Sequence, residues 1–522
     1  MNRWLALGVL LATGVALGLR CPRLGIRPMH NDEAVNAIKF GGLWEQRSYR
    51  YDPHEFHGPL LSYSTALLAK LTAAPDFNHF SEARLRALTV LAGLGLIFLL
   101  LPLKDALGPN AVVCAALLTA VSPAFVFYSR YYIHEMLLVF STLLLIAAGW
   151  RYWTTRKIAW ALLAGLGLGL MHATKETFVI NIFAIAAALV CGFVWNRLFA
   201  ATDVAQQKRP INWVHISAAI GVWLTVAALL FSSLLANPQG IVDSVRTYGA
   251  WFSRAGGASP HIYPWHFYFH RLLFFHESGG PYWSEAFIAV LAVIGAVAAF
   301  ARHGVSGANA GCARFLAIYT IVLAAAYSAI SYKTPWCALG FWNGAILMAG
   351  IGASVLLNVS KFQWARLAMR CALAVGVIQL AAQAWQASAD EKLCASPRNP
   401  YVFSPTSPNL LQLIAKIDAI TSSQPTGKTT QIKVLAPQND YWPLPWYLRG
   451  YSQVLLGGSI PSDPYAPLMI VSAQFNAHLD DNKTHLMVGY FEMRPSVFFE
   501  LYVELNAWKN YLAKNPPRPD SE

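Results

Sequence analysis

Charge is scarce in this sequence. Only 12% of its residues are Asp, Glu, Lys or Arg, about half the share of an ordinary globular chain. Ile211 to Val242, Thr334 to Ser360 and Thr177 to Trp195 contain none of the four. Each is long enough to cross a hydrocarbon core of roughly 30 Å as a helix. An ordinary soluble fold is thereby excluded, because it would need many buried helices with no polar face. Paired cysteines are also missing. The seven at positions 21, 114, 191, 312, 337, 371 and 394 show no CxxC or zinc-type spacing. No internal repeat is present, and ionisable residues stay out of mid-span positions, against the pattern of many transporters.

What is present is a series of apolar segments. They fall at Trp4–Leu19, Ala87–Leu103, Ala111–Tyr128, Met136–Trp150, Ile158–Met171, Thr177–Trp195, Trp213–Leu235, Ala286–Ala301, Phe315–Ile330, Cys337–Leu357 and Cys371–Ala387. The expected architecture is a polytopic α-helical membrane protein with about 11 transmembrane helices. This transmembrane module covers residues 1–388, with large outer loops at about 20–86 and 236–285. Residues 389–522 are different material. After a Pro-rich stretch, Ser396 to Pro408, an amphipathic helix (Leu410–Thr421) alternates with apolar strands near Ile432–Ala436, Val454–Leu456, Leu468–Val471 and His485–Val488. A final helix or strand is expected near Phe498–Leu512. The pattern predicts a small soluble α/β domain.

Orientation follows from short-loop charge. One set of loops carries Arg3, Lys104, Arg151, Arg156, Lys157, Arg197, Lys208, Arg209, Arg302, Arg314, Lys361, Arg366 and Arg370; the opposite short loops carry only Arg130, Lys175 and Lys333. Excess Lys and Arg mark the cytoplasmic side, so the N-terminus is expected in the cytoplasm of an inner (plasma) membrane. Eleven spans then place the C-terminal domain outside. Twelve of the fourteen acids in residues 1–388 gather on that outer side; Asp105 and Asp203 are the exceptions. The tail carries 11 basic against 12 acidic residues, so it offers no basic patch, and nucleic acid is not an expected partner.

Several short outer motifs carry chemistry-bearing side chains. Met29-His30-Asn31-Asp32-Glu33-Ala34 places two carboxylates just outside a membrane helix, a costly position unless they are solvated, paired or bound. Asp32 is a candidate general base for an acceptor hydroxyl. His54, Glu55 and His57 put two imidazoles and a carboxylate within four residues. They are candidate ligands for a divalent metal ion, zinc especially; the alternative is a polar interfacial loop. Pro59 and the apolar run after it predict a short helix in the interface. In Ser129-Arg130-Tyr131-Tyr132-Ile133-His134-Glu135, Arg130 suits a phosphate and Glu135 tops the next helix. His172-Ala173-Thr174-Lys175-Glu176 offers a cation or a local ion pair. In Ser331-Tyr332-Lys333-Thr334-Pro335-Trp336, Lys333 is either an interfacial anchor or a phosphate ligand. Aromatic and His residues crowd 263–276; both a sugar or headgroup pocket and an interfacial helix fit them.

In this order, HNDEAV, HGPLLSY, SRYYIHE, HATKE, YKTPW and the tail's YWPLPWYLRG resemble membrane glycosyltransferases of the GT-C class. The set is similar to the protein O-mannosyltransferase-like glycosyltransferase family 39 and the aminoarabinose transferases. It is closer still to an uncharacterised mannosyltransferase-like family associated with archaeal N-glycosylation flippases. The resemblance implies an inverting hexosyl- or mannosyl-type transfer from a polyprenyl-phosphate sugar to a glycan, lipid or protein acceptor, outside the bilayer. It implies Asp32, Glu33 and Glu135 as catalytic acids, Arg130, Lys175 and Lys333 as donor-phosphate ligands, and a metal at His54, Glu55 and His57 as in some relatives. The competing reading is a non-catalytic flippase-associated or transport protein of the same envelope-glycan pathway.

Overall fold

In the computed structural model, the described residues are all except 1–2, 47–48, 55–56, 75, 200–210, 256–260, 302–306, 360–361 and 517–522. Asp203, Lys208, Arg209, Arg302, Lys361 and the candidate ligand Glu55 therefore lie outside them. Every predicted apolar segment is helical. Among the described residues, eight helices are long and apolar enough to cross a membrane: Arg3–Arg20, Glu82–Leu107, Glu135–Thr155, Phe178–Phe199, Trp213–Phe231, Ala310–Ala329, Pro335–Asn358 and Gln363–Ala389. A ninth candidate span is the bent pair Pro109–Val121 and Pro123–Ser129, whose parts meet at 59°. Ile158–His172 and Ala286–Ala301 are apolar but only 15 and 16 residues long, roughly 22–24 Å at 1.5 Å per residue.

The bent span has a chemical cause. Pro123 cannot donate a backbone N–H and so breaks the helix ladder. The freed carbonyls of Thr119 and Ala120 accept from the Arg20 guanidinium, each at 2.8 Å, and the donors at the break are met by Glu285. Its carboxylate accepts from Ser122 Oγ at 2.5 Å and from the Ala124 amide at 3.0 Å. Trp342 Nε1 and the Tyr401 hydroxyl donate to it as well, at 3.0 and 2.7 Å. Glu285 is fully buried, and at that depth an unsatisfied backbone group costs several kcal/mol.

Hydrogen bonds at the helix ends define two faces of the bundle. On one, Arg151 pairs with Asp105 at 2.8 Å, and the Asn309 amide reaches the Ala106 carbonyl at 2.8 Å. On the other, Lys175 pairs with Glu135 and Arg86 pairs with Glu33. Glu135–Thr155 joins the two faces and is about 30 Å long. The short helix Ile158–His172 follows it back, from just after Arg156 to just before Lys175.

Two further helices lie on the Glu33 face, Asn31–Gln46 and Leu60–Leu71. The second is the short helix predicted after Pro59. Gln239–Ala255 is amphipathic, with Ile241, Val242 and Val245 exposed and Ser244 and Thr247 buried.

The tail has the expected α/β character. Its five strands are β1 (Ile432–Leu435), β2 (Val454–Gly457), β3 (Leu468–Ser472), β4 (His485–Arg494) and β5 (Val497–Glu504), in the order β2-β1-β3-β5-β4. β1 is parallel to both neighbours, whereas β5 is antiparallel to β3 and β4. The helix Asn409–Ser422 covers the sheet with Leu410, Leu413, Ile417 and Ile420, all fully buried. The last predicted segment is both strand and helix, β5 followed directly by Leu505–Lys514.

Candidate active site

Glu33 is the centre of a buried hydrogen-bond hub on the face that also carries Lys175 and Glu135. Arg86 donates to both its oxygens from Nε and Nη2, each at 2.8 Å. Arg27 Nη2, the His30 amide and the Tyr132 amide add bonds of 3.0, 3.1 and 2.8 Å. Three distant parts of the chain are thus joined through one carboxylate. Burial alone would raise its pKa, but the charges of Arg27 and Arg86 outweigh that and hold Glu33 down at about 2. Its side chain has no exposure, so Glu33 cannot touch a substrate; a buried, fully bonded carboxylate positions the loop instead.

Asp32, its neighbour, is in the opposite situation. It is half-buried, and among the described residues its carboxylate makes no hydrogen bond or ion pair. Its amide donates to His30 Nδ1 at 3.1 Å, which places the proton of a neutral His30 on Nε2. Burial lowers the His30 pKa, against the pull of Asp32 and Glu33, and so favours that neutral form. The His30 ring lies 5.5 Å from Tyr131 and 5.9 Å from Trp336. His261 also feels the Asp32 charge. It is brought there by a β-bridge between Ile262 and Tyr332, with the Lys333 amide donating to the His261 carbonyl at 3.0 Å.

The predicted cations separate into different roles. Arg130 is buried and donates to the carbonyls of Leu19, Arg20, Pro22 and Arg23. Its guanidinium staples the first loop to the bundle and has no free fork for a phosphate. Lys175 forms a buried ion pair with Glu135. Burial alone would lower the Lys175 pKa, but the Glu135 carboxylate holds it above its ordinary value. Lys333 is buried as well, yet its ammonium donates to the Ile330 carbonyl and pairs with no carboxylate among the described residues. Glu135 and Trp336 line one cavity together with Thr177, Asn181, Tyr327 and Cys337. Trp336 therefore touches both the Glu135 cavity and the aromatic group around His30.

His57 does not join His54 in a ligand set. Its Nδ1 bonds Glu176 at 2.7 Å, and its ring stacks on Trp251 at 4.9 Å. His54 is exposed. Among the described residues, no three His, Cys, Asp or Glu side chains gather as a metal ion requires. Glu55, the third predicted donor, lies outside the described residues, and His57 Nδ1 is held by Glu176. The HGP motif instead joins HATKE: the Gly58 and Leu60 amides donate to Thr174 and Ala173 at 3.1 and 2.8 Å, and His134 Nε2 donates to the Gly58 carbonyl at 3.2 Å.

Arg27, Glu176, Trp251 and His261 were not singled out by sequence reasoning. Arg27 and Glu176 had charge as a signal, but nothing in sequence shows which buried partner each meets. A separate cavity of about 520 Å³ opens in the tail domain, lined by Tyr465, Lys483, His485, Glu504 and Lys509. Its Glu504, Lys483 and Lys509 belong to the tail and line neither cavity that holds Glu135 or His30.

Comparison with known proteins agrees with this architecture. Residues 56–231, about a third of the chain, match the family described as dolichyl-phosphate-mannose-protein mannosyltransferase. No curated protein matches by sequence. The fold is similar to that of ArnT from Cupriavidus metallidurans bound to undecaprenyl phosphate, with a TM-score of 0.62, 13% identity, and coverage of 95% of this chain and 98% of that one. It is also similar to the archaeal oligosaccharyltransferase AglB from Archaeoglobus fulgidus in complex with an inhibitory peptide and a dolichol-phosphate, at 0.57, 13%, and 91% and 70%. An A. fulgidus oligosaccharyltransferase tethered with an acceptor peptide scores 0.55 at 13% identity, over 88% of this chain; this chain spans 64% of that one, less than two thirds of its length. The chain has the GT-C fold: a polytopic helical membrane module followed by a small α/β domain.

Proposed function

We propose that this chain is a membrane glycosyltransferase that moves a sugar from a polyprenyl-phosphate carrier to an acceptor hydroxyl at the outer face, with inversion. The reading rests on a GT-C fold whose relatives include ArnT with undecaprenyl phosphate and AglB with dolichol-phosphate. One observation carries it to residues. Of two adjacent acids, Glu33 is locked by five donors, while Asp32 beside it makes no side-chain hydrogen bond or ion pair among the described residues.

In this mechanism the acceptor oxygen attacks the anomeric carbon as its proton passes to the Asp32 carboxylate. A new glycosidic C–O bond forms. The anomeric C–O bond to phosphate breaks, and its electron pair leaves with the polyprenyl phosphate. Inversion follows from attack opposite the leaving group. Lys333 is the cation we assign to that phosphate, because a buried ammonium with no carboxylate partner is costly until an anion arrives. Lys175, already neutralised by Glu135, holds that carboxylate at the wall of the cavity it lines with Trp336. Glu33 and Arg130 hold the loop that presents Asp32. No step is routed through a metal.

All eleven helices cross the bilayer in this proposal, the two short ones completing their path with flanking turns. The face bearing Arg151, Arg314 and Arg366 then lies in the cytoplasm, and the Asp32 face and tail lie outside. The carrier's lipid stays in the membrane while its phosphate meets Lys333 at the interface.

The test is Asp32→Asn in purified chain reconstituted in vesicles, assayed for transfer from a panel of polyprenyl-phosphate sugars. Loss of at least 100-fold in kcat at wild-type thermal stability is expected. Undiminished transfer would remove Asp32 as the base.

A further inference from the structure

The tail domain grips the chain immediately before Asp32. Both polar backbone atoms of Met29 are held by residues beyond position 400. The Met29 amide donates to the Tyr447 hydroxyl at 2.8 Å, and the Met29 carbonyl accepts from Thr406 Oγ1 at 2.7 Å. Met29 has no exposure, and Thr406 is nearly as buried. The next residue, His30, takes the Asp32 amide on its Nδ1, so the grip is one residue removed from a direct contact with Asp32.

The tail side of this grip is itself fixed. Trp446 Nε1 donates to the Glu82 carboxylate at 2.9 Å. The Arg449 guanidinium stacks 3.6 Å over the Trp446 ring and donates to the carbonyls of Phe80 and Asn78. Trp446 is fully buried, and it belongs to the hydrophobic core of the membrane module, not to that of the tail sheet. Thr406 lies in the Pro-rich stretch that also lines the small cavity beside His30, with Val402, Phe403 and Pro405. The tail is therefore a wall of the Asp32 site, joined to it by directional bonds.

We propose that Tyr447 and Thr406 are positioning residues for Asp32, setting the backbone from which the base is presented. The inference rests on the reading of Asp32 as general base. A catalytic group must be held within about 0.5 Å of its productive place, and a 1 Å displacement can cost on the order of 100-fold. Two hydrogen bonds, one to each peptide unit flanking Met29, three residues upstream, supply that restraint. The aromatic motif of the tail thus acts in catalysis without touching substrate.

The test uses the full chain in vesicles. Tyr447→Phe and Thr406→Val each delete one bond at nearly constant shape, and Thr406→Ser restores the hydroxyl. Amide hydrogen exchange at Met29 is expected to rise at least tenfold in Tyr447→Phe. With polyprenyl-phosphate mannose as probe, kcat is expected to fall about tenfold in both deletions while the donor KM stays within twofold, and Thr406→Ser should keep near-wild-type kcat. Wild-type exchange at Met29 in Tyr447→Phe overturns the proposal whether or not mannose is the sugar used. Faster exchange with unchanged kcat also overturns it, by making the contact purely structural. If Asp32→Asn abolishes transfer and these variants do not reduce it, positioning alone fails. If Asp32→Asn transfers normally, the reading of the base fails first.

Discussion

Arg86 embraces Glu33 with two parallel hydrogen bonds, Nε to Oε1 and Nη2 to Oε2, both 2.8 Å long and both shielded from solvent. A bidentate pair of this kind fixes direction as well as distance. Arg27 shares the same carboxylate, so Glu33→Gln would leave two buried guanidiniums without their counter-ion. The expected loss is about 3–5 kcal/mol, read as a lowered unfolding temperature in detergent. Asp32→Asn, at a half-buried and unbonded position, should change stability by less than about 0.5 kcal/mol. The two adjacent acids would thus separate, one failing in stability and the other in activity.

The same hub sets an acid limit. Glu33 is held at about 2 in the folded chain against an ordinary 4.5. A depressed carboxylate contributes stability that is fully present above its unfolded pKa and is lost as pH falls through the folded one. The contribution, on the order of 3 kcal/mol for this shift, should therefore be complete above about pH 4.5 and decline toward pH 2. Unfolding temperature measured from pH 7 down to 3 should fall more steeply for the wild type than for Glu33→Gln. Parallel curves would remove Glu33 from the acid response.

Much of this was legible in the sequence, and the limits have physical causes. Apolar runs read directly as helices because a bilayer demands about 20 apolar residues with every backbone group satisfied internally. The motif Asn31-Asp32-Glu33 stands just past the first apolar helix, as the sequence predicts, but sequence gives adjacent acids equal standing. Only the fold shows that one meets Arg27 and Arg86 while the other meets neither. Arg130 and Lys333 looked alike as lone outer cations. Four backbone carbonyls claim the first, and no carboxylate among the described residues claims the second. Of the predicted metal set His54, Glu55 and His57, Glu55 lies outside the described residues, and His57 meets Glu176, a partner more than a hundred positions away that spacing along the chain does not show. The break at Pro123 was invisible as a bend, since its compensation comes from Glu285.

Lys333 and Lys175 should respond differently to loss of charge. Lys333→Gln is expected to raise the donor KM by roughly 10–100-fold, the effect of losing one charge-assisted contact of about 1.5–3 kcal/mol. Its unfolding temperature should stay close to wild type. Lys175→Gln strands the buried Glu135 and should cost about 3–5 kcal/mol of stability. Donor titrations at fixed temperature, paired with melting curves, distinguish them. Equal KM effects would mean that the phosphate contacts both lysines.

Crossing by the short helices can be tested with cysteine labelling. Ile158–His172 is only 15 residues long, but Lys157 precedes it on the Arg151 face and Lys175 follows on the Glu135 face. Lys157→Cys should react with a membrane-impermeant maleimide only after cell lysis, in a background with the seven native cysteines replaced. A cysteine at exposed Asn482 in the tail should react in intact cells. Reaction of both sites in intact cells would break the proposed alternation.

Gly58 gives the sharpest steric prediction. A Cβ built there would lie 2.3 Å from the Ala173 carbonyl oxygen and 3.0 Å from the Thr174 nitrogen. Both obstacles are backbone, so no side-chain rotation relieves the clash. The loop 57–60 must then move away from 172–176, breaking the Gly58 and Leu60 amide bonds. His57 would be pulled from Glu176, and Glu176, already buried, would lose its 2.7 Å hydrogen bond to His57. Gly58→Ala should therefore cost at least about 2 kcal/mol, typical of overpacking a tight contact, and should lower transfer through the loss of local order. Gly42→Ala, where a Cβ meets nothing within 4 Å, serves as the control and should be neutral or slightly stabilising. Equal melting temperatures for the two variants would show that the joint between HGP and HATKE is looser than its hydrogen bonds imply.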